Sequence, residues 1–86
     1  MPSVVMYSSA PCPYCSRAKA LLSAREIAFE EISLSMDAEG RVALNKKTGM
    51  MTFPQIFVDD QLIGGFQELM AAEKSGRLSE LLGAVA

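Results

Sequence analysis

Residues 12–15 read Cys-Pro-Tyr-Cys, just past a short apolar run, Val4-Val5-Met6-Tyr7, and at the point where a helical pattern begins. That order dictates how the chain starts: a buried strand, a break at Ser8, Ser9 and Pro11, then a helix with both sulfurs at its N-terminus. Proline is best tolerated at the first helical position, where its missing N–H costs nothing. Pro13 therefore makes Cys12 the expected N-cap and puts Cys15 in the first turn. The Cys12 side chain then faces the unpaired N–H groups of Tyr14 and Cys15. Those donors and the positive end of the helix dipole favour a thiolate and hold Cys12 well below the usual thiol range. Cys12 is the expected nucleophile. Cys15 sits at the position that meets the N-cap in a capping box, within plausible disulfide distance, and is the expected resolving thiol.

The plainer uses of a cysteine pair are open at this point. These are the only two cysteines, and there is no histidine. A structural zinc site takes about four ligands, so a metal would have to be shared between two chains. A purely structural disulfide across so short a loop would restrict the unfolded chain little. Inert thiols are a third alternative, and the spacing and placement favour redox chemistry over all three.

Eighty-six residues, half of them apolar, suffice for one small core, so a single domain over 1–86 is expected. Eight basic and ten acidic residues give a net charge of −2, with no basic run longer than Lys46-Lys47. Nothing in that balance suggests a nucleic-acid or anionic-membrane surface. The first residues lack the basic start and long apolar core of a signal peptide, and no apolar stretch reaches membrane-spanning length. A cytoplasmic setting is expected, where thiols stay reduced. In the absence of an obvious apolar patch, a monomer is the simplest expectation.

Along the chain the periodicity alternates. After the first strand, Ala18, Leu21 and Leu22 recur at helical spacing, with Arg17, Lys19 and Arg25 outward. Ile27 to Leu34 alternates apolar and acidic positions and predicts a second strand with Ile27, Phe29, Ile32 and Leu34 inward. Asp37 caps a helix with a poor apolar stripe, running to about Lys47 and ended by Thr48-Gly49. Gln55–Val58 and Leu62–Ile63, joined through Asp59-Asp60-Gln61, predict a hairpin punctuated by Gly64-Gly65. Phe66, Leu69, Met70 and Glu73 begin another helix closed by Gly76, and Leu78, Leu81, Leu82 and Val85 fit a last short one. The fold class is α/β: two parallel strands around the first helix plus an antiparallel hairpin, making a four-stranded mixed sheet flanked by helices. The six methionines are read as adaptable core filling.

Three segments together carry a resemblance: Cys12-Pro13-Tyr14-Cys15 after a strand, Thr52-Phe53-Pro54-Gln55-Ile56-Phe57 before the hairpin, and Gly64-Gly65 opening a helix. They resemble the signatures of the glutaredoxins, above all the small dithiol glutaredoxins of bacteria, and the likeness covers essentially the whole chain. It implies a thioredoxin-like fold and thiol–disulfide exchange with glutathione as the reducing co-substrate and no permanently bound cofactor. The implied partners are glutathione and glutathionylated or disulfide-containing proteins.

The resemblance also implies site residues. The Pro54 peptide would be cis and face the active site, and Phe53 would pair its backbone with the cysteinyl part of glutathione, beside Thr52. The N–H groups of Phe66 and Gln67, following Gly65, would meet the γ-glutamyl carboxylate, an ordinary use of a helix N-terminus. Arg41 matches a position that can bind the glycine carboxylate, and Tyr14 would shape the mouth of the site. From the residues alone, Pro54 could as well start an edge strand, Gly64-Gly65 could be a simple bend, and Arg41 a solvated helix charge. The chain also departs from the family pattern. Ser9 stands where many relatives carry lysine, Gln67 where a short acidic residue is common, and Phe53 where valine is usual. Two competing classes remain. One is a 2Fe–2S cluster held between two subunits, which Pro13 disfavours in such families. The other is a thioredoxin-type partner recycled by a flavoprotein.

Overall fold

The computed structural model describes residues 3–83. Its element order is β1 (Val4–Ser8), α1 (Pro13–Ala24), β2 (Glu30–Ser33), α2 (Ala38–Thr48), β3 (Gln55–Val58), β4 (Gln61–Gly64), α3 (Phe66–Ser75) and α4 (Arg77–Leu81). The sheet runs β2-β1-β3-β4. β1 pairs with β2 in parallel and with β3 antiparallel, and β3 pairs antiparallel with β4. The mixed sheet expected from the periodicity is therefore present, with the two most apolar strands at its centre.

Each face of that sheet has its own cover. On one side Val4 and Met6 of β1, Ile56 and Val58 of β3 and Ile63 of β4 pack against Cys15, Ala18 and Leu22 of α1, Leu69 and Ala72 of α3 and Leu78 of α4. On the other, Phe57 meets Leu34 and Leu44, with Tyr7, Ile32 and Leu62 partly buried around them. Side chains alternate across a strand, so β1 serves both layers: Val4, Met6 and Ser8 are buried, and Val5 and Tyr7 are half-buried on the α2 side.

The helix ends follow local chemistry. Asp37 caps α2 by accepting the Gly40 N–H at 2.8 Å, and α2 stops at Gly49 in the left-handed region (φ 77°). α3 ends on Gly76 in the same way (φ 84°), and that glycine at once begins α4. The hairpin turn is Asp59-Asp60 alone, both at positive φ, and Gln61 already lies in β4. A salt bridge from Arg25 to Glu73 ties the end of α1 to α3.

Two expectations need correction. The second strand is shorter than Ile27–Leu34. Ile27 closes α1, its N–H bonding to the Leu22 carbonyl, and Ile27 and Phe29 pack on the α1 layer before β2 begins. Ile32 and Leu34 serve the opposite layer, so the apolar pattern joins two half-patterns on different faces. The methionines are mostly not core: Met6 is fully buried, but Met36 is 99% and Met51 78% exposed. An unbranched, soft side chain fills gaps only where a gap exists, and these two sit in loops outside both layers. Val85, assigned to the last helix, lies outside the described residues, and α4 ends at Leu81. No described helix is long and apolar enough to cross a membrane.

Leu22 is fully buried between α1 and the sheet. Leu22→Ala should lower stability by about 2–5 kcal/mol through lost burial and a residual cavity. In a urea titration the midpoint should fall with the slope unchanged; a midpoint shift near zero would show that α1 is not held by this contact.

Candidate active site

Cys12 occupies the N-cap of α1, with Pro13 as the first helical residue. Its Sγ accepts the Cys15 N–H at 3.1 Å, the contact expected of a capping side chain with sulfur in place of oxygen. The two sulfurs are bonded to each other, with Cα atoms 5.2 Å apart. Their surroundings differ sharply. Cys15 is 3% exposed and belongs to the main core, whereas Cys12 is only half-buried at its edge. One sulfur of the pair is reachable from outside; the other can be reached only from its partner.

Two adjoining clefts meet beside Cys12. One, about 340 Å³, is lined by Tyr14, Thr52, Phe53, Pro54, Gly65, Phe66, Gln67 and Glu68. The other, about 330 Å³, holds Cys12 itself with Ser9, Pro11, Met51 and the shared wall Tyr14, Thr52 and Phe53. All but one of the residues expected from the sequence are thus gathered around the pair. Arg41 is the exception: it lines neither cleft. Its Nη1 donates to the carbonyls of Leu34 and Ser35, tying the start of α2 to the end of β2.

The clefts exist because three loops converge at one end of the central strands. β1 delivers the α1 N-terminus, β3 begins at the Phe53–Pro54 peptide, which is cis, and β4 hands over to α3. The Ala10–Pro11 peptide is also cis, which nothing in the sequence reading anticipated. Gly64 has φ 127°, and a methyl built there would lie 2.8 Å from the Glu68 Cβ. A methyl on Gly65 would lie 3.4 Å from the Pro54 carbonyl oxygen. Glycine is thus required at Gly64, by its positive φ and the Glu68 side chain, while at Gly65 a methyl would make only ordinary contact with the proline loop.

Tyr14, half exposed, stacks on Phe66 with ring centroids 6.1 Å apart and an interplanar angle of 29°. The Arg17 guanidinium lies 5.4 Å from the Tyr14 ring centroid. An aromatic bridge therefore joins the first turns of α1 and α3 across the larger cleft, with a cation held at its outer end.

Two residues here escaped the sequence reading. Glu68 accepts the Gly65 N–H at 2.8 Å through Oε1 and so brings a carboxylate to the cleft wall. Its signal was available: a glutamate three residues past a helix cap is half of a capping box. Met51 lines the Cys12 cleft, and only its adjacency to Thr52 could have indicated it.

A glutaredoxin family model matches residues 4–63. Glutaredoxin 3 of Escherichia coli (strain K12) is 44% identical over 82 residues, covering 95% of this chain and 99% of that protein. A glutaredoxin of Pseudomonas aeruginosa is 44% identical over 84 residues, covering 98% and 100%. Among solved structures, a buckwheat glutaredoxin–glutathione complex superposes with a TM-score of 0.86 at 32% identity, covering 99% of this chain and 83% of that one. The solution structure of a Brucella melitensis glutaredoxin gives 0.84 at 41% identity, covering 95% and 89%.

After reduction, iodoacetamide should alkylate Cys12 well before Cys15. The Cys12 rate should rise with pH through a midpoint below the ~8.5 of an ordinary cysteine, because the Cys15 N–H and helix dipole favour the thiolate. Peptide mass mapping against time and pH reads both. Equal rates at the two sulfurs, or an unshifted midpoint, would remove the N-cap from the chemistry.

Proposed function

The chain belongs to the glutaredoxin family, whose members are glutathione-dependent thiol–disulfide oxidoreductases of thioredoxin-like fold, and from that premise we propose the parts its own residues play. Cys12 is the attacking sulfur and Cys15 the resolving one. The single observation that carries this assignment is their unequal burial across one bond, with the Cys15 N–H directed at the Cys12 sulfur.

The reaction runs as a series of thiol–disulfide exchanges. The Cys12 thiolate attacks one sulfur of a substrate disulfide, forms a new S–S bond to it and expels the other sulfur as a thiolate. For a glutathionylated protein, the protein thiol leaves and glutathione stays on Cys12. A second glutathione thiolate then attacks that glutathionyl sulfur, releasing glutathione disulfide and the Cys12 thiolate. For a protein disulfide, Cys15 attacks Cys12, frees the reduced protein and leaves the Cys12–Cys15 bond, which two glutathiones reduce. The N-cap N–H that favours thiolate at Cys12 also makes it a good leaving group in these steps.

We assign the larger cleft to the tripeptide. Phe53 would pair its backbone N–H and C=O with the cysteinyl residue, next to Thr52 and Pro54. The first N–H groups of α3, at Phe66 and Gln67 beyond Gly65, have no acceptors within the helix and would take the γ-glutamyl carboxylate. Tyr14 would close the mouth from the α1 side. Arg41 is assigned the glycine carboxylate; since its Nη1 serves two carbonyls, the remaining guanidinium N–H groups would make that contact. A monomeric, cytoplasmic enzyme acting on glutathionylated and disulfide-bonded proteins completes the reading.

Glutathione-dependent reduction of a small mixed disulfide, coupled to NADPH through glutathione reductase, tests the roles. Cys12→Ser should abolish activity, and Cys15→Ser should keep deglutathionylation while losing reduction of protein disulfides. Loss of both activities in Cys15→Ser would overturn the division of labour. Activity with thioredoxin reductase and none with glutathione would overturn the assignment of the cleft.

A further inference from the structure

Gln55 opens β3 and is fully buried, yet none of the steps above uses its side chain. Its Nε2 lies 3.1 Å from the Thr52 carbonyl oxygen, 3.2 Å from Asn45 Oδ1 and 3.3 Å from the Met50 carbonyl oxygen. Three oxygen neighbours assign the nitrogen to that position, since turning the amide over would set an oxygen against three acceptors. Gln55 Oε1 is buried and accepts no hydrogen bond from the described residues. An unpaired buried carbonyl is a cost that an apolar side chain of the same length would not carry. The chain bears it at the residue that follows Pro54.

What the amide holds is the peptide next to the catalytic sulfur. The Thr52–Phe53 peptide is not one of the cis bonds, so it is planar and trans, with its C=O and N–H on opposite sides. Tethering Thr52 O to Gln55 Nε2 therefore aims the Phe53 N–H the other way. Thr52 and Phe53 form the wall shared by both clefts, and the tether's other anchors, Asn45 and Met50, lie on α2 and in the loop after it. We infer that Gln55 is a positioning residue: its buried amide fixes the Thr52–Phe53 peptide so that the Phe53 N–H is presented to the cysteinyl carbonyl of glutathione held at Cys12. This rests on the reading that the Phe53 backbone binds glutathione.

Gln55→Met keeps length and bulk and removes both donors. The measurement is the Phe53 backbone amide by proton–nitrogen NMR, in a Cys15→Ser background, before and after glutathione is loaded on Cys12. With Gln55 present, loading should move the Phe53 amide downfield. With Gln55→Met that response should be lost, and in the protein with both cysteines KM for the glutathione mixed-disulfide substrate should rise roughly five- to tenfold with kcat within about twofold. The rate of Cys12 alkylation should be unchanged, because the α1 cap is not touched. An equal amide response and unchanged KM in Gln55→Met would overturn the proposal. A Phe53 amide silent to loading even with Gln55 present would instead overturn the glutathione contact beneath it. If Gln55→Met fails to fold, Gln55→Glu serves: its protonated carboxyl keeps one donor, so its KM defect should shrink as pH falls. A defect independent of pH would then count against the tether.

Discussion

Everything in the active site depends on a sulfur serving as a helix cap. Cys12 Sγ takes the place an N-cap oxygen would occupy, accepting the Cys15 N–H, so the structure of α1 and the reactivity of Cys12 are one interaction. The cap is held in place by packing. Cys15, Ala18 and Leu22 bury one face of α1 against β1 and β3, the central strands, and Pro13 supplies a helical φ at no hydrogen-bond cost. The resolving thiol is therefore a core residue. It cannot compete with Cys12 for an external disulfide, yet stays within reach of Cys12, and the order of the two exchanges follows from burial.

The second requirement is that groups far apart in the chain stand around that sulfur without having to be gathered when substrate arrives. The strand pairing brings the entrances of α1, β3 and α3 to one end of the central strands. The start of α3 is then turned by Gly64 at positive φ, joined to α1 by the Tyr14–Phe66 stack, and the proline loop is braced by the Gln55 amide. Each of these fixes backbone or aromatic rings, which have few degrees of freedom to lose, so the ordering cost falls on folding and not on binding.

How far the sequence revealed this varied with the range of the interaction. Local signals carried through. Pro13 located the cap, Asp37 the start of α2 and Gly76 the end of α3, while the apolar run of β1, the alternation around β2, the hairpin signals of β3 and β4 and helical spacing placed the elements of the mixed sheet and its helices. What failed was information held only in tertiary neighbours. Ile27 and Phe29 looked continuous with Ile32 and Leu34 because a sequence does not show that the two pairs face different layers. Met36 and Met51 have core-like side chains and no core beside them. Gln55 read as an ordinary strand opening, since its role depends on three acceptors, two of them backbone atoms of a loop. The hold of Arg41 Nη1 on the Leu34 and Ser35 carbonyls was likewise invisible in the sequence, since it joins α2 to the segment after β2.

At Ser9 and Gln67 the chain lacks the cation and the carboxylate that the family resemblance implies near the proposed tripeptide site. Ser9 lines the Cys12 cleft as a neutral hydroxyl, and the carboxylate on the cleft wall belongs to Glu68, one residue on, where it already accepts the Gly65 N–H. The α3 terminus thus carries an internal anion beside the N–H groups assigned to an external one, which weakens its pull on any carboxylate without blocking the donors of Phe66 and Gln67. In the assignment proposed above, recognition would lean less on side-chain charge and more on the peptide backbone at Phe53 and the shape of the cleft. Backbone hydrogen bonds have short range and strict direction, so the more the site leans on them, the more its affinity depends on how firmly the Thr52–Phe53 peptide is held. A fully buried amide whose oxygen has no partner among the described residues is the cost a site of that kind carries.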